Sequence, residues 1–252
     1  MAGLVVAAGM LVGQPVVAAA QLLEFEGRFW PAAVEARAKI EGGELAGTAF
    51  DFERDLGIDE EPLADLRLAA LTGPNSRLRL AYTHVAYEGD RVVDRAIEFN
   101  GTIYPAATRV VSELDLHYAR LGWIWQVPLS AGRLRVGPLV EVKGFLVETT
   151  LDAPTATPRR RETESVGLAI PTVGLALDLS PLPGVVVFAE ASGLSVGQAG
   201  HVVDAEAGVR VTLTKFFTLI GGYRVFDVRG EEDASFARLR LSGPFAGATI
   251  RF

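Results

Sequence analysis

Apolar and polar residues alternate at a period of two along most of the chain after residue 20. Leu78, Leu80 and Tyr82 share one parity, whereas Arg77 and Arg79 share the other. Successive side chains of a β-strand point to opposite faces of its sheet, so this pattern predicts strands with one apolar and one polar face. No unbroken apolar run of membrane-spanning length follows residue 20. We therefore predict an all-β chain.

The connections between these segments alternate strictly between short and long. The short, mostly Gly/Pro-marked turns lie at 73–76, 127–132, 180–184 and 214–217. The longer polar connections lie at 41–61, 88–108, 152–161, 196–200 and 229–235. Membrane barrels have tight periplasmic turns and longer outer loops. The pattern predicts a transmembrane up-and-down antiparallel β-barrel of about ten strands, with about eight or twelve as the margins. A soluble β-sandwich, which also alternates, is the alternative.

Two segments inside the long connections, 47–56 and 94–104, also alternate like strands. They can extend neighbouring strands above the membrane or form an extra hairpin. The sequence contains no internal repeat and no low-complexity linker, so we predict one domain.

The last eight residues run from Phe245 to Phe252 and place Phe252, Ile250 and Ala248 on one apolar face. Gly247 lies five places before the terminal aromatic residue. This segment resembles the sorting signal that the outer-membrane assembly machinery reads during insertion, which predicts the outer membrane of a Gram-negative cell. We assign Gly247, Ile250 and Phe252 to this assembly signal. The last strand must pair with the first, near 23–37, because an open edge cannot remain in lipid.

Residues 1–20 form an apolar, small-residue stretch that ends in an Ala18-x-Ala20 pattern before Gln21. We expect a cleaved signal peptide over 1–20 and a barrel over 21–252. A membrane-spanning helix is the alternative, and Pro15 and three glycines disfavour it.

Composition narrows the class of partner. The 252 residues include no cysteine, which is compatible with an oxidising periplasmic route, and 49% of them are hydrophobic. The formal net charge of −7 makes nucleic acid an unfavourable partner. We expect contacts with the bilayer and with lipopolysaccharide, no cofactor, and a monomer.

Charged residues must face the lumen, because an Arg or Lys at the bilayer midplane costs about 2–4 kcal/mol. If the charged residues of each strand face the lumen, the residues of the other parity face the lipid, and on this basis we predict that Leu114, Leu116 and Tyr118 point outward. Strand parity predicts a lumen charge network of Arg67, Arg79, Glu113, Asp115, His117, Arg135, Glu141, Lys143, Asp204, Glu206, Arg210 and Arg224. Opposite charges in a narrow barrel should pair and plug it. A narrow polar pore is the alternative.

Four segments together resemble a group of small, uncharacterised Gram-negative outer-membrane β-barrel proteins. They are Gly47–Gly57, Leu78–Tyr82, Phe99–Gly101 and Gly243–Phe252. The resemblance covers most of the mature chain. It implies a fold and a location, and it implies no reaction.

Candidate catalytic groups are few, and we assign none of them. Gly193–Gly197 has the spacing of a nucleophile elbow, but that motif needs a helix after its turn, whereas a strand here runs into an outer loop. The three histidines are His84 with lipid-facing parity, His117 with inward parity, and His201 at the start of a strand. A lipid A-modifying or proteolytic barrel enzyme is therefore only the third hypothesis.

Two loops carry clustered charge. Asp51, Glu53, Asp55 and Asp59 surround Gly57 at a spacing that suits Ca²⁺, but Pro62 stands where the calcium loop has its closing Glu, so we assign no metal and favour a solvated acidic loop. The run 159–161 consists of Arg159, Arg160 and Arg161 in an outer loop, where lipopolysaccharide phosphates are candidate ligands. A solvated basic run is the alternative.

The leading functional hypothesis is a non-enzymatic barrel that is structural or forms a small gated or plugged pore. A binding or scaffold barrel, which holds lipopolysaccharide or a partner protein through its outer loops, is the alternative.

Overall fold

The alternating segments form long strands in the computed structural model, which describes residues 23–39, 50–51, 62–99, 101–232 and 235–252. The strands are β1 Leu23–Trp30, β2 Ala33–Lys39, β3 Phe50–Asp51, β4 Leu63–Gly73, β5 Ser76–Val92, β6 Ile97–Phe99, β7 Thr102–Tyr104, β8 Arg109–Trp125, β9 Val127–Leu129, β10 Leu134–Ala153, β11 Arg160–Leu182, β12 Val185–Ser195, β13 Gly200–Thr214, β14 Phe217–Glu232 and β15 Ser235–Arg251. Two short 3-10 helices cover Ser130–Gly132 and Gly197–Ala199. Within the described ranges, no helix is long and apolar enough to cross a membrane.

The strands close into an antiparallel barrel. Around the barrel the order is β1-β4-β5-β8-β10-β11-β12-β13-β14-β15, and β15 pairs with β1 to complete the ring. After an interruption at Pro31, β2 continues the first barrel strand and pairs with the outer part of β15. The predicted ten-stranded up-and-down barrel is therefore confirmed.

The closing seam joins the two ends of the described barrel. Phe25 lies opposite Ile250, and Arg28 lies opposite Gly247. The Phe252 backbone N–H donates to the Leu23 carbonyl at 2.9 Å. Both ends lie on the side of the short turns, which is the periplasmic side of such barrels.

Gly247 allows β1 and β15 to approach closely at this seam. A Cβ on Gly247 would lie 2.2 Å from the Gly27 carbonyl oxygen, which is backbone and cannot rotate away. We therefore expect Gly247→Ala to lower the free energy of unfolding by about 1–3 kcal/mol, the usual cost of overpacking. Urea unfolding in detergent measures this change. Gly230→Ala is the matched control, because a Cβ on Gly230 meets nothing within 4 Å. Equal stability of the two variants would contradict a tight seam.

The periplasmic half of the barrel has an apolar exterior. Leu80, Leu121 and Val142 are about half exposed on neighbouring strands. Other outward apolar side chains continue the band around the barrel: Phe25, Phe29, Leu66, Leu68, Leu78, Trp123, Trp125, Val140, Val173, Leu175, Val187, Val209, Leu219, Tyr223 and Ile250. A surface of this kind is stable against hydrocarbon and unfavourable in water.

Above this band, on the side of the long loops, the polarity of the wall reverses. On β5 the outward series Leu80 and Tyr82 continues with the exposed polar residues His84 and Glu88. Tyr87, on the inward face of the same strand, is buried. The outer half of the barrel is thus built like a water-soluble protein, with an apolar interior.

The reversal corrects the predicted parity of β8. Leu114, Leu116 and Tyr118, which we expected to face outward, are buried inside the barrel. Glu113, Asp115 and His117, which we predicted in the lumen, lie on the exterior wall instead. The rule that charge faces inward holds only where lipid surrounds the strand, and this part of β8 projects above the band.

The connection between β5 and β8 folds back over the barrel mouth as the β6–β7 hairpin, so the extra-hairpin alternative holds for 94–104. Its own side chains Ile97, Phe99 and Tyr104 are buried. The Tyr104 hydroxyl donates to the Leu151 carbonyl at 2.8 Å. Burial raises the pKa of Tyr104 to about 12, so this donor keeps its proton.

The other loop predictions fall mostly outside the described residues. Of 47–56, only β3 is described, and its two residues pair with β2. The signal peptide over 1–20 and the side chains of the acidic loop at Asp51, Glu53, Asp55 and Asp59 lie outside the description, and both predictions stay predictions.

Candidate functional site

A buried ion-pair network crosses the lumen within the apolar band, and its centre is Arg224 on β14. The Arg224 guanidinium donates to Asp204 at 3.0 and 2.8 Å and to Asp65 at 2.6 Å. Arg120 bridges the same two carboxylates, at 3.1 Å from Asp204 and 3.2 Å from Asp65. All four side chains are buried. Four strands are therefore tied together across the barrel.

A second part of the network is centred on Glu206 of β13. Arg67 donates to its carboxylate at 2.8 and 2.6 Å, and Arg28 donates at 3.0 Å. Arg67 also reaches Asp65 at 2.9 Å, which links this part to the centre. The closing strand β1 thus takes part in the network through Arg28.

A third part surrounds Glu141 of β10. Its carboxylate accepts hydrogen bonds from Lys143 at 2.7 Å, Ser192 at 2.7 Å and Arg79 at 3.2 Å. Arg79 also donates to Glu190 at 2.6 Å. Each buried charge in these three parts has an opposite partner, as desolvated ions require.

An aromatic layer covers the network on its outer side. Tyr118 stacks on Phe145 at 4.8 Å between ring centroids and lies 4.8 Å from Phe226. The Tyr118 hydroxyl donates to Asp204 at 3.0 Å, and Arg224 lies 4.5 Å from the Trp30 ring. The charged layer and the apolar outer core are therefore continuous.

A cavity of about 210 Å³ lies below the network, at the periplasmic end of the lumen. Its polar lining includes Arg77, Arg210 and Asp178. Arg210 pairs with Asp178 at 3.0 Å and lies 4.0 Å over the Phe188 ring. The network forms the ceiling of this cavity, because Arg28, Arg67 and Arg79 also line it.

The structure brings most of the predicted lumen residues together. Arg67, Arg79, Glu141, Lys143, Asp204, Glu206, Arg210 and Arg224 lie in the lumen. Arg135 lies at the periplasmic rim, where it donates to the Pro74 carbonyl at 2.9 Å. Glu113, Asp115 and His117 do not belong to the network, for the reason given above.

Sequence reasoning missed four members of the network: Arg28, Asp65, Arg120 and Glu190. Asp65 has the same parity as Arg67 and opposes Leu66 and Leu68, so its inward position was available from the sequence. The lumen position of Arg120 is not predicted, because Arg120 shares its parity with Tyr118 and the sequence pattern predicts that Tyr118 faces outward.

The outer-loop arginines are partly used within the protein. Arg159 donates to Asp152 at 3.0 Å, which lowers the pKa of that carboxyl. Arg160 donates to the Ile103 carbonyl of β7 and so helps to hold the hairpin. Arg161 is exposed. Contact of these residues with lipopolysaccharide stays a prediction.

The exterior wall carries all three histidines. Ser195, within the Gly193–Gly197 motif, lies opposite His201, whose Nε2 lies 3.0 Å from Asp227. Arg238 contacts the same Asp227 carboxylate at 3.2 Å. The motif leads into a 3-10 helix at Gly197–Ala199, and the nucleophile elbow needs an α-helix there.

Comparison with solved structures places this architecture among outer-membrane barrels. The outer-membrane protease OmpT from Escherichia coli is 8% identical over 94% of this chain and 99% of that chain, with a TM-score of 0.54. The translocator domain of the autotransporter NalP from Neisseria meningitidis is 12% identical over 92% and 88%, with a TM-score of 0.47. A scan of protein-family models and a search of curated proteins match nothing.

At 8% identity the likeness to OmpT shows the fold alone. The chain has the fold of a Gram-negative outer-membrane β-barrel protein. Its apolar exterior band agrees with that fold and places the barrel in the outer membrane.

Proposed function

We propose that this protein is a structural, non-enzymatic and non-conducting outer-membrane barrel. The observation that carries the proposal is that two different fillings occupy the lumen one above the other. The ion-pair network fills the lumen at the level of the membrane, and the aromatic and aliphatic core fills it above.

The ion-pair network blocks the passage of ions because its charged side chains are paired with one another. Arg224, Lys143 and Glu141 are at most 2% exposed. An ion that passes this level must break pairs that are buried and hydrogen-bonded. Removal of one partner from such a pair costs about 3–5 kcal/mol, so open states are rare.

The aromatic and aliphatic core above the network blocks the passage of ions for a different reason. Phe226 and Leu151 of the barrel wall and Phe99 of the β6–β7 hairpin have no exposed surface, and the hairpin is bonded to Leu151 through Tyr104. An ion that enters this layer loses its hydration and gains no opposite charge. The two fillings are therefore independent seals.

Planar-bilayer recording of the refolded protein tests the proposal. We expect no steady channels from the wild-type protein, and none from Arg224→Met, because the apolar layer still closes the mouth. An open porin in the same bilayer is the positive control, and heat-modifiable gel mobility verifies folding. Steady channels from the folded wild-type protein would contradict the proposal.

The non-enzymatic part of the proposal has a separate test. Lipid A from cells that overproduce the barrel should keep its mass, because a short 3-10 helix and not an α-helix follows Ser195, and because Asp227 is shared with Arg238. A mass change that Ser195→Ala abolishes would establish an enzyme instead.

A further inference from the structure

We infer that the exterior wall holds a binding site for a divalent transition-metal ion of the Zn²⁺, Cu²⁺ or Ni²⁺ type. Its ligands are His84 of β5 and Asp115 and His117 of β8. This site is independent of the sealed lumen, since all three side chains point away from it.

Strand pairing brings the three ligands together. His84 and His117 are direct cross-strand partners in the β5–β8 register. Asp115 lies two residues before His117 and therefore on the same face of β8. The two imidazole rings are stacked, with centroids 4.7 Å apart and planes inclined by 8°. The pleat of a rigid barrel thus fixes the spacing of the donors.

The donor atoms have a geometry that a metal ion can use. His84 Nε2 lies 2.8 Å and His117 Nε2 lies 3.4 Å from the same oxygen, Asp115 Oδ1. All three ligand atoms lie within 4.8 Å of one another. Tetrahedral zinc, with bonds of about 2.0–2.1 Å, needs neighbouring ligand atoms about 3.3 Å apart. Small side-chain rotations therefore convert the hydrogen-bonded cluster into a three-ligand site.

The chemistry of the donors selects the class of ion. Two imidazoles and one carboxylate suit Zn²⁺, Cu²⁺ and Ni²⁺, whereas Mg²⁺ and Ca²⁺ prefer oxygen ligands. Three protein ligands leave coordination positions for water or an external anion. The side chains are 43%, 45% and 44% exposed, so an ion can reach them from outside the cell.

Tyr82 is a hydrogen-bonding partner that orients the ligand His117. Its hydroxyl lies 2.7 Å from Nδ1 of His117, the ring nitrogen opposite the proposed ligand atom. When Nε2 binds a metal, Nδ1 carries the proton and donates it in a hydrogen bond to Tyr82. Such outer partners fix the tautomer and the ring orientation of metal-binding histidines.

The surroundings of the site attract cations. Glu88 and Glu113 face each other across the strands just above it, and Glu148 lies opposite Asp115 on β10. All three are exposed. Leu146, the neighbour of His117 on β10, is half exposed and belongs to the apolar band. The site therefore lies at the outer edge of the membrane, with a negative field on its aqueous side.

Titration of protein without a polyhistidine tag tests the site. After treatment with EDTA, calorimetry with Zn²⁺ and visible absorption with Co²⁺ should both give one bound ion per chain. His84→Gln and His117→Gln should each abolish this binding, and Asp115→Asn should weaken it. Tyr82→Phe should weaken it about 10–100-fold, the usual effect of losing an outer partner.

His201→Gln is the matched control, because His201 also contacts a carboxylate on the exterior wall but has no second imidazole beside it. Its binding should equal that of the wild-type protein. Heat-modifiable mobility verifies that each variant folds. Absence of stoichiometric binding, or binding that survives in the His84→Gln/His117→Gln protein, would overturn the site. Equal binding of Ca²⁺ and Zn²⁺ would also overturn it, and would assign the ion to the neighbouring carboxylates.

Discussion

In the Arg224→Met protein we expect the free energy of unfolding to fall by about 3 kcal/mol, because two buried carboxylates lose their shared partner. Asp65 and Asp204 are both buried and both accept hydrogen bonds from Arg224. Arg120 still contacts both of them, which keeps the loss near the lower end of the range for broken buried pairs. Met preserves much of the volume, so the effect reports charge rather than a cavity.

Urea unfolding of the protein in detergent, followed by tryptophan fluorescence, measures this loss. Arg109→Met is the control, because Arg109 pairs with Asp90 on the exposed wall, and we expect no measurable change there. The double variant Arg224→Met/Asp204→Asn should recover part of the stability, since it restores the balance between the buried positive and negative charges. Arg224→Met stability equal to that of the wild-type protein, or no recovery in the double variant, would contradict a network that depends on charge pairing.

The fold could be predicted from the sequence because lipid favours apolar side chains on the outer face of each strand, whereas charged side chains must face the lumen. Parity placed Glu141 and Lys143 on the inner wall, where the structure has them. The alternation of short and long connections gave the ten strands and their direction. These features are local, and each can be read within one strand or one turn.

The outer half of β8 shows where the local rule stops. Glu113, Asp115 and His117 have one parity, and Arg120 has the other. In a regular strand, residues of opposite parity point to opposite faces, so the two sets cannot both face the barrel lumen. The change of parity marks the level at which β8 leaves the lipid, and water then favours the opposite arrangement of polar and apolar faces. A change of charged parity along one strand is therefore a sequence signal for the height of the membrane.

The partners within the lumen and on the wall did not follow from the sequence. Asp65 and Arg224 are separated by 159 positions, and their contact depends on the tilt and stagger of all ten strands. His84 meets His117 only because the connection between β5 and β8 sets their register. The pattern of a single strand determines neither the tilt and stagger of the ten strands nor the register between β5 and β8.

Phe252 should matter far more for assembly in the cell than for the stability of the finished barrel. Phe252 is 64% exposed, on the lipid side, whereas its backbone N–H closes the seam with Leu23. Phe252→Asp keeps that backbone bond, removes the ring, whose burial is worth about 1.5–3 kcal/mol at most, and adds a carboxylate at the membrane surface. We therefore expect the purified variant to refold in detergent, while cells that express it lose most of the folded form from their outer membranes.

Heat-modifiable gel mobility of outer-membrane fractions measures the folded form. Phe216→Asp is the matched control, because Phe216 is also an exposed aromatic residue at the periplasmic end, 47% exposed, but lies outside the terminal signal. Phe252→Tyr should retain assembly, since it keeps a terminal aromatic ring. Deletion of Phe252 also removes the hydrogen bond to Leu23, so it should weaken refolding in detergent as well. If Phe252→Asp and Phe216→Asp reduce the folded form equally, the loss reflects an acidic residue at the membrane surface rather than a terminal signal.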